Sequence, residues 1–156
     1  MLKITIPGAD ALHLEHLVLD FNGTLACDGM LLDGVADLMR RLSLQLTVHV
    51  ITGDTFGRAR AALSGLPCRL VILEALGQSQ AKREYVERLG AATVACIGNG
   101  RNDRLMMATA ALGIAVMQGE GASPQTLSAA DVVARDVQDA LDLLLHPLRL
   151  TATLRT

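Results

Sequence analysis

The sequence predicts a three-layer α/β fold: a doubly wound parallel sheet with helices on both faces. Short apolar runs alternate with amphipathic helical segments, and this alternation is typical of parallel sheets. The runs are rich in Leu, Val, Ile and Ala, as expected for strands covered on both faces. With 156 residues, 51% of them hydrophobic, the chain is long enough to bury one full core. We expect one domain over residues 1–156, with its core at about 14–145.

Each predicted element follows from its local pattern. Residues 1–8 predict a short strand closed by a turn and have no signal-peptide profile. The strands of the sheet are apolar runs at residues 17–20, 46–52, 70–73, 93–98, 114–117 and 131–134. The helices are predicted at residues 35–42, 57–63, 78–89, 103–110 and 137–145. In the last helix, Val137, Leu141 and Leu144 recur at helical spacing.

Residues 25–32, between the first strand and the first helix, predict a β-hairpin. Asp28-Gly29 stands between two short apolar arms. This pair is a strong hairpin signal because both residues tolerate a positive φ. An ordinary surface hairpin would have the same pattern.

Polar residues directly follow three of the predicted strands. Residues 20–24 read Asp-Phe-Asn-Gly-Thr, residues 52–55 read Thr-Gly-Asp-Thr, and residues 98–103 read Gly-Asn-Gly-Arg-Asn-Asp. Ligands of open α/β sheets bind at the carboxyl edge, so we expect Asp20, Thr52 and Asp103 to converge there. An acid beside buried apolar residues needs a partner or a metal ion. Lys82, early in the predicted helix 78–89, is expected to point into the same pocket.

These residues, in this order, resemble the four motifs of the haloacid dehalogenase-like (HAD) phosphotransferase superfamily. The resemblance covers about residues 14–145. Within that superfamily the chain is most similar to the phosphorylation domain of P-type ATPases, in a soluble, stand-alone form. Two segments support this similarity: Leu-Gly-Ile-Ala-Val-Met at 112–117 and Ala-Ala-Asp-Val-Val at 129–133.

The resemblance implies a Mg²⁺-dependent phosphohydrolase that forms an aspartyl-phosphate on Asp20. It implies that the Asp20 carboxylate, the backbone carbonyl of Asn22 and the Asp103 side chain bind the metal. Asn99 would be either a weak ligand or a residue that contacts the ligands without binding the metal itself. The implied phosphoryl contacts are Gly23, Thr52, Gly53 and Lys82. The hairpin at 25–32 is similar to the flap of this superfamily, and we call it the flap.

Two residues depart from the superfamily pattern. Asn22 stands where an acid–base Asp is usual, and Asn99 replaces the first Asp of the fourth motif. Asn22 cannot exchange a proton at neutral pH, and Asn99 offers a neutral carbonyl oxygen. P-type ATPases also lack the acid at the first of these positions. General acid–base catalysis contributes about 10²–10⁴-fold, so we expect a slow phosphatase or a persistent aspartyl-phosphate.

The spacing of the motifs leaves no room for a cap domain. The intervals 25–51 and 53–81 are used by the flap, helices and strands already named. The same holds for the nucleotide-binding insertion of a P-type pump. We therefore expect an open site unless a neighbouring subunit covers it.

Each of these residues also has a plainer interpretation. Thr52 could cap the following helix, and Lys82 could be a solvated helix residue. Asp103 could be an N-cap, alone or in addition to its site role. Asp54 is read first as a turn residue. The pair His13 and His16 is read as a surface feature rather than a metal site.

Composition excludes several other classes. A net charge of −2 and a 2% aromatic content argue against nucleic-acid binding. No apolar run approaches the roughly 18–20 residues that cross a bilayer, so the chain is not a membrane-embedded pump. The three cysteines have no zinc-type spacing, Cys96 is expected to be buried, and a reducing cytoplasmic location is the simplest expectation.

The expected partner is a phosphorylated small molecule or macromolecule. The apolar tail at 141–150 could bury surface in a homo-oligomer or pack on its own sheet. The main alternative function is a degenerate domain that binds a phosphorylated ligand or a protein without turnover, because of Asn22 and Asn99. A receiver-type domain ranks lower because Asp20 lacks a neighbouring acid, and 98–100 lacks the third glycine of a dinucleotide site.

Overall fold

Ten strands are present in the computed structural model, which describes residues 1–54 and 56–156. In chain order they are β1 (Leu2–Ile4), β2 (Leu12–Leu14), β3 (His16–Asp20), β4 (Ala26–Cys27), β5 (Met30–Leu31), β6 (Thr47–Thr52), β7 (Arg69–Ile72), β8 (Val94–Gly98), β9 (Leu112–Val116) and β10 (Val132–Ala134). Six of them form one parallel sheet in the order β10-β9-β8-β3-β6-β7. All six predicted strands are confirmed, with ends shifted by at most two residues.

Seven helices cover the two faces of this sheet in the described part of the chain. They are α1 (Val35–Leu42), α2 (Ala59–Ala62), α3 (Gln78–Leu89), α4 (Arg104–Thr109), α5 (Pro124–Ala129), α6 (Val137–Leu145) and α7 (Pro147–Leu154). One face packs against α1, α2, α6 and α7, and the other against α3, α4 and α5. The predicted doubly wound fold is therefore confirmed. Among the described residues, no helix is both long enough and apolar enough to cross a membrane.

The centre of the sheet places the strand ends beside one another. β3 lies between β8 and β6, with Leu19 paired to Ile97 and Asp20 paired to Ile51. Since all three strands are parallel, the residues that follow them meet at one edge of the sheet.

The flap is confirmed as a two-stranded hairpin of β4 and β5. Its turn residues Asp28 and Gly29 have φ values of 51° and 76°, as a two-residue turn of this kind requires. The tip lies against Phe56, since a Cβ at Gly29 would be 2.8 Å from the Cβ of Phe56. On the opposite side, the Asp28 amide donates to the Glu120 carboxylate at 2.8 Å. The flap is thus held by the loops that follow β6 and β9.

Two parts of the fold differ from expectation. The N-terminal strand pairs with β2 in an antiparallel hairpin, Leu2 opposite Leu14. Two short helices, α5 and α7, were not predicted; each begins with a proline at its first turn. Most of the apolar tail follows the second of its two expected alternatives, because Leu141, Leu144 and Leu150 are buried in the core of the chain, whereas Leu148 is exposed.

A buried histidine lies on the face covered by α3. His49, in β6, has no solvent exposure and contacts His16 Nδ1 through Nε2 at 3.1 Å and the Tyr85 hydroxyl through Nδ1 at 2.9 Å. Burial, with smaller contributions from His16 and Arg69, lowers the pKa of His49 from 6.5 to about 4. His16 is therefore part of an internal chain of polar side chains rather than a surface residue.

We expect His49 to make stability depend on pH between about 4 and 6.5. Below 6.5 the unfolded chain binds the proton first, so acidification favours unfolding until the folded form also protonates. The loss is at most about 3 kcal/mol. At each pH in this range, the free energy of unfolding of a His49→Leu variant is subtracted from that of the unaltered chain, and the difference isolates the effect of His49. The exposed His13, changed to Gln, serves as control, and a His49→Leu curve parallel to the unaltered chain would contradict the expectation.

Candidate active site

Lys82 links two carboxylates at the carboxyl edge of the sheet. Its Nζ lies 2.6 Å from Asp20 Oδ1 and 2.6 Å from Asp103 Oδ1. β3 ends at Asp20, while α3 crosses this face and brings Lys82 down from its second turn. Lys82 and Asp103 have no solvent exposure, and Asp20 is 5% exposed. The plainer interpretation of Lys82 as a solvated helix residue is therefore wrong.

Asp103 is fixed by the backbone of its own loop. Its Oδ2 accepts hydrogen bonds from the amides of Asn99 at 3.0 Å and Gly100 at 2.9 Å. A Cβ at Gly98 would lie 2.6 Å from the Asp103 carboxyl carbon, so glycine is needed there. The side chain makes no capping bond to α4. Asp103 thus stands at the N-cap position of α4, but its side chain bonds to Lys82 and to its own loop instead of to the helix.

Thr24 connects Asp20 with Asn99. Its hydroxyl lies 3.3 Å from Asp20 Oδ2 and 3.2 Å from Asn99 Oδ1, and one hydrogen can serve only one of them at a time. Asn99 Nδ2 donates to the Gly121 carbonyl at 2.9 Å, which fixes the orientation of the amide. Gly23, with φ +79°, lies directly against that amide, so a side chain at this position would collide with it. Thr24 belongs to the segment singled out in the sequence, but its bridging role was not predicted.

Thr52 is buried at the end of β6 and accepts a hydrogen bond from the Asp54 amide at 2.9 Å. No acceptor for its own hydroxyl hydrogen is found among residues 1–54 and 56–156. The Asp54 carboxylate accepts from the amides of Arg58 and Ala59, both at 2.9 Å, at the start of α2. Asp54 is therefore the capping and turn residue, and Thr52 is not. Thr55, the last residue of this motif, lies outside the described residues.

The buried cluster formed by Asp20, Lys82 and Asp103 contains two carboxyl groups and one ammonium group. Burial, reinforced by the Asp103 carboxylate, raises the pKa of Asp20 to about 7, and Lys82 opposes this shift. Burial acts to lower the pKa of Lys82, but the Asp103 and Asp20 carboxylates outweigh it and leave the pKa above its ordinary value. Lys82 therefore stays cationic, and Asp20 is the group that titrates near neutral pH. A cation beside Asp20 would favour its ionised form.

The residues near Asp20 suit a hard divalent cation. The Asn22 carbonyl oxygen accepts no hydrogen bond from any described residue, and Asn22 Oδ1 is buried without a partner in the same part of the chain. The candidate ligand atoms are the carboxylate oxygens of Asp20, the backbone carbonyl oxygen of Asn22 and Oδ1 of Asn99, and oxygen is the ligand atom that Mg²⁺ prefers. Both oxygens of Asp103 are already engaged, one by Lys82 and one by two backbone amides.

The reacting groups lie below the surface even though the fold is of the capless kind. Asp20 is 5% exposed and Asn99 is 7% exposed, while Thr52 and Lys82 are buried. Two glutamines of the chain contact the loops around these groups. Gln78, in the first turn of α3, lies with its side-chain amide directly against Gly53. Gln118 donates through Nε2 to the carbonyl oxygens of Gly23 and Thr24, at 3.1 and 2.6 Å.

Neither glutamine was predicted as a site residue. Gln118 follows β9 at the same sheet edge, and its Oε1 accepts from the Val137 amide at 2.8 Å, so it ties the loop after β3 to α6. Gln78 precedes Lys82 by one helical turn and therefore lies on the same helix face. That spacing is the sequence signal that could have identified it.

Comparison with known proteins places the chain among two groups of relatives. No family model matches it. An uncharacterized protein of Methanocaldococcus jannaschii is 41% identical over 87 residues, which are 56% of this chain and 84% of that protein. Cation-transporting P-type ATPase B of Mycobacterium leprae is 33% identical over 138 residues, 86% of this chain but only 18% of the ATPase.

Three solved structures share the fold. The cobalt-bound deoxy-D-mannose-octulosonate 8-phosphate phosphatase of Haemophilus influenzae has a TM-score of 0.72 at 18% identity, covering 90% of this chain and 92% of that one. A HAD superfamily (subfamily III A) hydrolase of Legionella pneumophila has a TM-score of 0.66 at 22% identity, covering 90% and 87%. The corresponding phosphatase of Moraxella catarrhalis, in complex with magnesium ion, phosphate ion and KDO, has a TM-score of 0.67 at 19% identity, covering 86% and 87%. The chain therefore belongs to the same family as the uncharacterized Methanocaldococcus jannaschii protein, and it shares its fold with the three hydrolases described above.

Proposed function

We propose that this chain is a phosphohydrolase in which Asp20 attacks phosphorus and forms an aspartyl-phosphate. The observation that carries the proposal is the buried Lys82 ammonium, 2.6 Å from both Asp20 and Asp103. A phosphoryl group is a dianion, and its negative charge must be neutralised before a carboxylate can approach it. The buried Lys82 ammonium beside the Asp20 carboxylate is suited to that task. The relatives that share the fold include phosphatases, which supports the same reaction class.

The chain's own residues would divide the work as follows. An ionised Asp20 oxygen forms a bond to phosphorus as the bond to the leaving-group oxygen breaks, and that oxygen takes the electron pair and a proton from water. Lys82 and the Thr52 hydroxyl hold phosphoryl oxygens, with Gly23 and Gly53 leaving room for close approach. Water then cleaves the aspartyl-phosphate and regenerates Asp20. Asn22 cannot assist either proton transfer, so both steps are slow.

Mg²⁺ is the proposed cofactor, held by the Asp20 carboxylate, the Asn22 carbonyl oxygen and Asn99. When bound, it would act as a Lewis acid that neutralises phosphoryl charge. Asp103 is proposed as a further ligand, as the resemblance implies; its Oδ1 also bonds to Lys82 and its Oδ2 to two backbone amides.

We expect Mg²⁺ to bind more weakly than in relatives with two acids, and more weakly at lower pH. Asn99 contributes no charge, and the proton on Asp20 competes with the ion below a pKa of about 7. Affinity should fall by up to about tenfold per pH unit below that value and level off above it. Calorimetry between pH 5.5 and 8.5 measures this, with Asn99→Asp expected to tighten binding. A submicromolar dissociation constant, or an affinity that does not change with pH, would contradict the expectation.

The substrate class we propose is a phosphate ester or anhydride of a small molecule. The relatives with the same fold include enzymes whose names state an octulosonate 8-phosphate substrate, and a phosphorylated macromolecule is the alternative. A homo-oligomer is also proposed, although the apolar tail that suggested it packs inside the chain.

The test is a phosphatase assay on the purified chain, with acetyl phosphate and a panel of phosphorylated metabolites in the presence of Mg²⁺. Turnover should be measurable, should require a divalent ion and should vanish in Asp20→Asn. The exposed Asp37 in α1, changed to Asn, is the matched control and should keep full activity. Activity that survives Asp20→Asn would overturn the mechanism.

The alternative is a domain that binds phosphorylated ligands without turnover. It is favoured by Asn22 and Asn99, which remove two carboxylates from the usual site. Tight binding of phosphate by both the unaltered chain and Asn22→Asp, with no hydrolysis by either, would support it.

A further inference from the structure

We propose that Gln78 binds the phosphoryl group directly, through a hydrogen bond from its side-chain Nε2. In a protein with a cap domain, such a contact to the substrate could come from the cap. The inference rests on the proposed function, because it concerns the same site. It adds a substrate-binding residue that none of the four motifs contains.

Gln78 spans the site from one loop to the other. Its Oε1 accepts from Asn102 Nδ2 at 2.8 Å, in the loop that follows β8. Its amide also lies against Gly53, in the loop that follows β6, where a Cβ would be 2.9 Å from the Gln78 amide carbon. β3 lies between β8 and β6, so a side chain that touches both loops crosses the end of β3, where Asp20 lies.

Gln78 and Lys82 approach the site from the same helix face. They are four residues apart in α3, which places one side chain above the other. Lys82 reaches the Asp20 carboxylate, whereas Gln78 lies one turn closer to the start of α3. A phosphoryl group that approaches Asp20 would therefore have Lys82 on one side and the Gln78 amide near its entry path.

The donor that faces this path is unused by the protein. Nε2 of Gln78 carries two hydrogens, and no acceptor for them is found among the described residues, 1–54 and 56–156. Oε1 of Gln78 faces Asn102 Nδ2, and Nε2 is the Gln78 atom that lies nearest to Gly53. A fixed N–H donor close to the Gly53 backbone is suited to an anionic phosphoryl oxygen.

The experiment measures binding of orthovanadate, in the presence of Mg²⁺, by calorimetry on the full chain. Gln78→Ala removes the donor. Gln78→Glu keeps the shape and an oxygen for Asn102 but places a negative charge where Nε2 stood. The matched controls are Gln80→Ala and Gln80→Glu, since Gln80 lies on the same helix, is exposed and donates through its side chain to Glu84. Thermal unfolding verifies that each variant is folded.

We expect Gln78→Ala to weaken orthovanadate binding by about tenfold or more, the range for a hydrogen bond to a charged group. Gln78→Glu should weaken it by about 100-fold, and both Gln80 variants should stay within about twofold. Unchanged or tighter binding by Gln78→Ala would overturn the inference alone, as would equal losses in the Gln80 variants. If the unaltered chain binds no orthovanadate, the proposed function fails and this inference with it.

Discussion

Replacing Lys82 by Met should abolish turnover and lower the free energy of unfolding by about 3–5 kcal/mol at pH 8. Lys82 is the cation that contacts both Asp20 and Asp103, each at 2.6 Å, and all three side chains are at least nine-tenths buried. Removing it leaves two carboxylates close together without compensation. Chemical denaturation measures the stability, and the phosphatase assay measures the turnover.

The same helix supplies a matched control. Arg83 pairs with Glu87 at 2.8 Å, but that pair is about half exposed. Arg83→Met should therefore cost less than about 1 kcal/mol and leave turnover intact. The loss in Lys82→Met should also shrink at pH 5, because Asp20, with a pKa of about 7, is then protonated. Equal losses for the two variants, or no change with pH, would contradict the charge balance described for this site.

Replacing Asn22 by Asp should raise turnover by up to about 10²-fold. The acid could protonate the leaving group and later activate water, which Asn22 cannot do. The position suits such a group, because Asn22 Oδ1 is buried without a hydrogen-bond partner in the described part of the chain. Steady-state kinetics on acetyl phosphate and phosphate monoesters, at saturating Mg²⁺, measure the gain in kcat.

A double variant separates acid–base catalysis from metal occupancy. If Asn99 also limits turnover through weak Mg²⁺ binding, Asn22→Asp alone gains less and Asn22→Asp/Asn99→Asp gains more than the sum of the single effects. Asp20→Asn added to either variant should return turnover to background. If neither variant hydrolyses any phosphate ester, the binding-domain alternative is favoured over the enzyme.

The larger elements could be predicted because local signals agreed with the tertiary structure. Val35–Leu42, Gln78–Leu89 and Val137–Leu145 begin and end where predicted. Gly34 and Gly77 precede the first two with left-handed backbone, and Asp136 caps the third through the Asp139 amide. Because polar residues that follow parallel strands meet at one edge of the sheet, the positions of Asp20 and Asp103 could be predicted. The motif resemblance predicted that Lys82 lies beside them.

What could not be predicted depends on contacts between distant segments. Each of the helices α5 and α7 begins with a proline, and a proline is as typical of a loop as of a first helical turn. The contacts of Gln78 with Gly53 and Asn102 join segments that are distant in the sequence, and no local pattern encodes them. Likewise, the predicted helix 57–63 begins later, because the Asp54 carboxylate caps it at Ala59.

The most direct test of the central claim is to trap the phosphorylated residue. The chain is incubated with acetyl phosphate and Mg²⁺, quenched in acid, reduced with borohydride and mapped by peptide mass spectrometry. We expect a modified side chain at Asp20, absent in Asp20→Asn and less abundant in Asn22→Asp, where hydrolysis is faster. A label on another residue, or hydrolysis without any label at Asp20, would contradict it.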